Sequence, residues 1–422
     1  MTSDGPASGV EQLAVEAAPG GLSTTQGATI TIGALLGTGV ISLPGIAADD
    51  AGPASLVAWA ALLILSIPLA TTFAALGSRF PGGGGVTSYA RRAFGGYAGT
   101  ALGWPMVFAT GVAAPVAAGF AGSYIADATG GGRHVSVLST AGIMLVVVTM
   151  NWFGIRISAR VQLVIMSAIA ATLVVTVAIA LPHAQSSNLT PFAPHGVGGI
   201  ATAAGALVWA FGGWEVMASL SGEYRDPARS ITRATTAALI VVAALYLSVA
   251  FVTVAVLGAA PGSAPLSSLL VVRLGPAARP VMTVIATLLT VGTMNSYFAG
   301  TARLAAALAA ERSLPRFLDQ RGEPRRALLT ITLLGFASLA AIALLHTDSE
   351  AILMFMSATI AAAYLVSSVA ALRLLPRGST GRRVTMIALV ASLALVIATG
   401  WSLLAPVVVG ALGCLWYRVR RP

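Results

Sequence analysis

About twelve apolar runs follow one another along almost the whole chain, each near the roughly 20 residues needed to cross the hydrocarbon core of a bilayer. They fall at roughly 27 to 48, 53 to 78, 98 to 127, 135 to 154, 159 to 181 and 199 to 222. A second set lies at roughly 232 to 258, 278 to 310, 327 to 346, 350 to 372, 384 to 398 and 400 to 417. In lipid every backbone N–H and C=O must be satisfied without water, so runs of this length can only be helices, and the fold class is an all-α integral membrane protein of twelve transmembrane helices. Of the 422 residues, 57% are hydrophobic and 9% are charged, against about 25% charged in a soluble domain. That excludes a soluble enzyme and leaves no room for a large extramembrane domain.

The net charge of +10 comes from a basic set that is entirely arginine. Its distribution points to a membrane face and not to nucleic acid, because arginines in short loops resist translocation. Alternate connections differ sharply. One set holds Arg79, Arg91, Arg92, Arg156, Arg160, Arg225, Arg229, Arg233, Arg312, Arg316, Arg321, Arg325, Arg326, Arg373, Arg377, Arg382 and Arg383, with Arg418, Arg420 and Arg421 in the tail. The other holds only Arg133, Arg273 and Arg279. The rich set is expected to be cytoplasmic, and with an even number of spans both termini are expected there too. Residues 1–25 carry Asp4, Glu11 and Glu16 without a basic start or compact apolar core, the wrong pattern for a signal peptide, and read as a disordered cytoplasmic tail. A second short tail spans 418–422. The single cysteine, Cys414, allows no intramolecular disulfide, and the scattered His183, His195 and His346 suggest no metal site.

Two spans are interrupted. The first reads Gly33-Ala34-Leu35-Leu36-Gly37-Thr38-Gly39-Val40-Ile41-Ser42-Leu43-Pro44, and the sixth reads Trp209-Ala210-Phe211-Gly212-Gly213-Trp214-Glu215. Glycine in a helix interior costs about 1 kcal/mol relative to alanine. Unwound backbone is tolerated at membrane depth only around a cavity or inside protein. A broken helix offers free amides at the start of one half and free carbonyls at the end of the other, which suit a carboxylate and an ammonium. Held a few ångströms apart, those two charges are the backbone of a zwitterionic amino acid. Five spans separate the interruptions, as expected for inverted repeats, one over 26–182 (spans one to five) and one over 196–374 (spans six to ten), with spans eleven and twelve at 382–417. The competing reading is that the glycines are helix-packing notches. Neither Gly37-Thr38-Gly39 nor Pro81-Gly82-Gly83-Gly84-Gly85 fits a phosphate loop, since no strand precedes and no Gly-Lys-Ser/Thr follows. The four-glycine run can instead kink a short segment that seals an inner gate.

Glu215 is the one carboxylate placed well inside a span. Such residues face an interior cavity and mark a pathway, so Glu215 is a candidate proton carrier, with a scaffolding carboxyl as the alternative. Asn295 in span eight can face substrate or bridge helices. Trp209, about one turn before the sixth-span break, can close over a bound side chain or simply pack. No nucleophile with a base and no metal cluster is visible within the spans, so neither an enzyme nor a cofactor is expected.

These residues resemble the amino acid-polyamine-organocation superfamily of secondary transporters over nearly the whole chain. Gly37-Thr38-Gly39-Val40 resembles its first-span substrate motif, and Pro81 through Tyr89 with Phe94-Gly95 its loop after span two. Gly103-Trp104, Asn151 through Gln162, Glu223 through Ala234, and Arg303 with Ala310 through Pro315 match further segments in order. The first-span run and the Asn295 to Arg303 region look most like the bacterial amino-acid efflux branch, whose recognised member exports methionine and branched-chain amino acids. The resemblance implies a five-plus-five inverted repeat (LeuT-like) with helices 1 and 6 broken, the substrate carboxylate at Thr38 and Gly39 and the amino group near Phe211 and Gly212; together with the residue readings above, the expected substrate contacts are Gly37, Thr38, Gly39, Trp209, Phe211, Gly212, Gly213 and Asn295. Trp209 and Glu215 align with the aromatic gate and the acidic residue of that family's broken sixth helix. The chain has no lysine, so the fifth-span lysine that some members use in place of sodium is absent.

The expectation is therefore a multi-pass transporter of the bacterial cytoplasmic membrane that exports small neutral, apolar L-amino acids by alternating access with protons. Proton-coupled uptake and amino-acid exchange share every motif. The expected partners are a neutral amino acid, the proton and the lipid bilayer, with no nucleic acid; the oligomeric state stays open.

Overall fold

The computed structural model describes residues 21–37, 39–207, 210, 212–258, 261, 265–320, 322–345 and 349–420. Sixteen α-helices and several single 3-10 turns make up the described residues, and ten helical segments among them are long and apolar enough to cross a membrane. The chain is thus an all-helical membrane protein. The predicted run boundaries match the long helices to within a few residues.

The first predicted run is two helices, α1 (Thr24–Leu35) and α2 (Gly39–Ala51). The first begins in a reciprocal cap, Ser23 Oγ accepting from the Gln26 amide at 3.2 Å and Gln26 Oε1 accepting from the Ser23 amide at 3.0 Å. Helix α1 therefore starts before residue 25, inside the segment read as a tail. Just ahead of it Leu22 is buried and pairs with the strand-like backbone of Tyr224, its amide 2.6 Å from the Glu223 carbonyl. The helix ends at Leu36, and the glycines that follow carry the chain across to α2.

Spans two to five are α3 (Ser55–Arg79), α5 (Gly96–Thr129), α6 (Gly132–Trp152) and α7 (Ile155–Ala180). The glycine run after α3 forms a turn into the short helix α4 (Gly85–Phe94), where Gly85 (φ +43°) lies against the backbone of Ser219. The sixth run is again two helices, α8 (Gly196–Leu207) and α9 (Trp214–Ser219). Helices α10 (Pro227–Leu257), α11 (Pro265–Leu274), α12 (Ala278–Ala310), α13 (Arg325–Leu345), α14 (Ser349–Leu374), α15 (Thr380–Thr399) and α16 (Leu404–Arg420) complete the chain. Helix α11 was not anticipated: its ten residues are too few to span and merge, in a hydropathy reading, with the connection after α10.

The interrupted helices sit side by side, α1 against α9 and α2 against α8, so the first half of each meets the second half of the other and they run antiparallel. Around them, α5 packs against α6, α12, α13, α14 and α16, and α10 packs against α1 and α3. A close approach falls at Gly213, whose φ of +136° is poorly tolerated by any other residue and whose missing side chain would meet the Ala34 backbone at 3.1 Å.

The arginine-rich segments contact one another. Arg225 donates to the Gly21 carbonyl at 2.7 Å, Arg373 to the Ala93 carbonyl at 3.2 Å, and Arg325 to the Trp152 carbonyl at 3.3 Å. Arg133, of the arginine-poor set, instead reaches the Ala343 carbonyl at 2.9 Å near the end of α13.

Candidate functional site

Both interruptions border one cavity of about 90 Å³. Gly37 and Gly39 of the first break and Ala210 and Gly212 of the second line it, with Ala34 and Leu35 beside them. Its other walls come from α5 (Thr110, Ala113, Ala114, Ala117), α12 (Thr290, Thr293, Met294, Tyr297, Phe298) and α14 (Leu353, Met356, Ile360). Among the described residues of this lining no side chain is charged. Small residues on α5 leave the space, and thioether and branched aliphatic groups give it an apolar wall that adapts to cargo shape.

Of the residues singled out from sequence, Gly37, Gly39 and Gly212 are brought together here, and Gly213 follows immediately. Thr38, Trp209 and Phe211 lie outside the described residues. Gly39 opens α2, so the first-turn amides of a thirteen-residue helix begin at the cavity edge. Such a terminus favours a carboxylate.

A tyrosine joins the two breaks. The hydroxyl of Tyr246, on α10, donates to the carbonyl of Leu35 at 2.7 Å and also faces the carbonyl of Ala210 at 3.4 Å. Its ring lies 4.9 Å from that of Trp59 on α3. Carbonyls freed by the interruption are thereby partly satisfied inside the protein, as they must be at membrane depth.

Glu215 is buried, 3% exposed, at the start of α9. Three donors converge on its carboxyl group. Oε2 accepts from the Tyr364 hydroxyl of α14 at 2.7 Å and from the Gly213 amide at 3.0 Å, while Oε1 accepts from the Tyr297 hydroxyl of α12 at 3.0 Å. The Tyr364 oxygen in turn accepts from the Gly213 and Trp214 amides at 3.1 and 3.2 Å. The amides that open α9 are therefore occupied by Glu215 and Tyr364. Tyr297 lines the cavity on one side and bonds Glu215 on the other, which makes its hydroxyl a direct link between cavity wall and carboxylate.

Asn295 is not among the cavity-lining residues. Its Oδ1 accepts from Asn151 of α6 at 2.9 Å and from Ser158 of α7 at 2.7 Å, and its Nδ2 donates to Gln162 Oε1 at 2.8 Å. Gln162 Nε2 passes the chain on to the Gly292 carbonyl at 3.0 Å, and Ser296 Oγ donates to the Ile30 carbonyl of α1 at 2.9 Å. A side chain at Gly33 would strike the Gln162 amide, so that glycine is what admits the network to α1. In this structure the Asn295 amide bridges α12 to α6 and α7.

At the arginine-rich end, the buried Arg303 of α12 pairs with Glu223 at 2.6 Å and with Glu323 at 3.1 Å. Glu323 also accepts from the Ile155 amide at the start of α7 at 3.2 Å. Nearby, Arg91 of α4 pairs with Glu311 at 2.7 Å and donates to Ser313 Oγ at 2.6 Å. Glu311 sits just beyond α12, and burial pushes its carboxyl above the usual range while Arg91 pulls it back. These contacts tie the ends of α4, α7, α9 and α12 together on one side of the cavity.

Sequence reasoning missed Tyr246, Tyr297, Tyr364 and Gln162. A signal existed: a tyrosine hydroxyl inside an apolar helix needs a partner.

Comparison with known proteins places this architecture. The profile of the amino acid permease family matches residues 22–422. An uncharacterised amino acid permease, YecA, of Bacillus subtilis (strain 168) is 31% identical over 401 residues, covering 94% of this chain and 95% of the relative. An uncharacterised transporter, Rv1999c, of Mycobacterium tuberculosis is 30% identical over 403 residues, 93% and 89% of the two chains. The L-methionine/branched-chain amino acid exporter YjeH of Escherichia coli (strain K12) is 32% identical over 230 residues, 53% and 54% of the two chains.

Proposed function

This chain belongs to the amino acid permease family, and on that premise we propose that it exports small neutral amino acids with apolar side chains, methionine, leucine, isoleucine and valine, by alternating access coupled to protons. The observation that carries this reading is that both helix interruptions open on one cavity whose walls are mainly apolar. A zwitterion suits the backbone there: its carboxylate at the start of α2 with Gly37, Thr38 and Gly39, its ammonium at the carbonyls of the second break with Phe211 and Gly212. The side chain then lies among Met294, Met356 and Ile360, in a lining whose described residues carry no charge to offset an ammonium or guanidinium tail. The partial likeness to an exporter of methionine and branched-chain amino acids supports the same cargo.

Glu215 is the proposed proton carrier. Loading or emptying the cavity would shift Tyr297, and with it one of the three donors to the Glu215 carboxyl group. Trp209, in the proposed arrangement, closes over the cargo, and Asn295 holds α12 to α6 and α7. The first ten of the twelve spans form two five-helix inverted repeats and the last two follow them, with the arginine-rich face and both termini in the cytoplasm of a bacterial cell.

The test is counterflow in proteoliposomes with a panel of labelled amino acids, with and without an imposed proton gradient. Accumulation of leucine or methionine driven by the gradient is expected. Preference for cationic amino acids would overturn the cargo, and exchange that ignores the gradient would make the protein an exchanger and Glu215 a scaffold.

A further inference from the structure

Beyond the transport cavity, a second cavity of about 390 Å³ lies between the connection that follows α12 and the last turn of α16. Three arginines line it, Arg312 and Arg316 from the connection and Arg420 from α16, and among the described residues no carboxylate does. The acid next in the chain, Glu311, is turned to Arg91 at 2.7 Å. Like charges gathered around one space repel, and the arrangement is stabilised when an anion enters it.

The walls are built, not incidental. Arg312 holds a positive φ of 61° at the end of α12, a position where helices usually place glycine, and this backbone turn sends the chain back past α16. The Arg420 guanidinium sits 4.7 Å from the centre of the Trp416 ring, one turn earlier on the same helix face. Trp416 leans at 6.2 Å on Trp104, whose indole N–H donates to the Ser313 carbonyl at 2.7 Å. Both sides of the cavity are thus fixed to the same α12 terminus.

The surroundings identify the source of the anion. The cavity lies at the ends of two apolar spanning helices, and beside the arginines its lining includes Leu314, Trp416 and Val419, the last 80% exposed. An indole at the end of a spanning helix marks the headgroup layer of a bilayer. We propose that this cavity binds the phosphate of an anionic phospholipid from the leaflet on the arginine-rich side, held by Arg312, Arg316 and Arg420. The bound lipid braces the end of α12, the helix that supplies Tyr297 and Met294 to the transport cavity, against α16. This assignment does not depend on the cargo or on the direction of transport.

Native mass spectrometry of the delipidated full-length protein tests it, with dioleoylphosphatidylglycerol, dioleoylphosphatidylethanolamine or inorganic phosphate added to the detergent solution. The wild-type protein is expected to retain the anionic lipid at least about tenfold more strongly than the zwitterionic one, and each Arg→Gln change at 312, 316 or 420 should reduce that preference about fivefold. Arg383→Gln, in the first turn of α15, should leave it unchanged. Equal retention of the two lipids by the wild-type protein, or a preference that survives in the triple variant, overturns the proposal. Should the triple variant fail to fold, the wild-type comparison and the single variants decide it. Displacement of the anionic lipid by millimolar inorganic phosphate would reassign the site to soluble phosphate and overturn the lipid assignment.

Discussion

The hydroxyl of Tyr246 lies 2.7 Å from the carbonyl oxygen of Leu35, a residue 211 positions earlier in the chain. The same hydroxyl faces Ala210 across the second interruption, so a single side chain of α10 spans the seam between the two broken helices. Removing it with Tyr246→Phe keeps the ring against Trp59 and deletes only the tie. A buried hydrogen bond of this kind contributes about 1 kcal/mol. Leucine binding should weaken about fivefold, with a small drop in melting temperature; unchanged affinity by scintillation proximity would show that the tie does not shape the cavity.

Glu215→Gln retains the volume of the side chain but cannot ionise. Transport in proteoliposomes should lose its difference between acidic and neutral pH, while leucine affinity stays within about threefold of the parent. Persistence of the parent's pH response would remove Glu215 from the coupling step.

Gly39 lines the cavity at the first turn of α2. Gly39→Val places a branched side chain where the carboxylate is proposed to sit and should abolish binding, a loss of at least about a hundredfold. Isothermal titration on protein that elutes as the parent does would check it.

Asn295→Ala leaves Asn151, Ser158 and Gln162 each without one partner in the protein interior. Unpaired buried polar groups cost about 1 to 3 kcal/mol each before relaxation. The melting temperature should fall by several degrees, with leucine affinity nearly unchanged in the surviving folded fraction. A large affinity loss at unaltered stability would return Asn295 to the substrate.

Arg303→Met removes the shared partner of Glu223 and Glu323. Both carboxylates are about one-third exposed, so water recovers part of the loss, and the expected destabilisation is about 1 to 2 kcal/mol, below that of a fully buried pair. Labelling of a cysteine placed at Tyr224 should quicken, because the Leu22 to Tyr224 pairing would loosen with it. An unchanged labelling rate would show that these ion pairs do not hold that end shut.

Membrane crossing and helix breaking depend on some twenty adjacent residues at a time, and both were legible in order. The apolar runs, the arginine asymmetry, the interruptions at Gly37 to Gly39 and Gly212 to Gly213, and the buried position of Glu215 all follow from local composition. What surrounds those features depends on contacts between distant residues. Tyr297 and Tyr364 reach Glu215 from 82 and 149 positions away, and no local pattern marks them as its donors. Asn295 offers the same amide whether it faces cargo or a neighbouring helix, and only the packing of α6, α7 and α12 around it selects the bridge. The two breaks share a cavity because their helices run antiparallel through the same layer, with Gly213 pressed on Ala34. Hydropathy is a property of segments, whereas a binding site is a property of the arrangement of segments, and so only the tertiary structure could decide it.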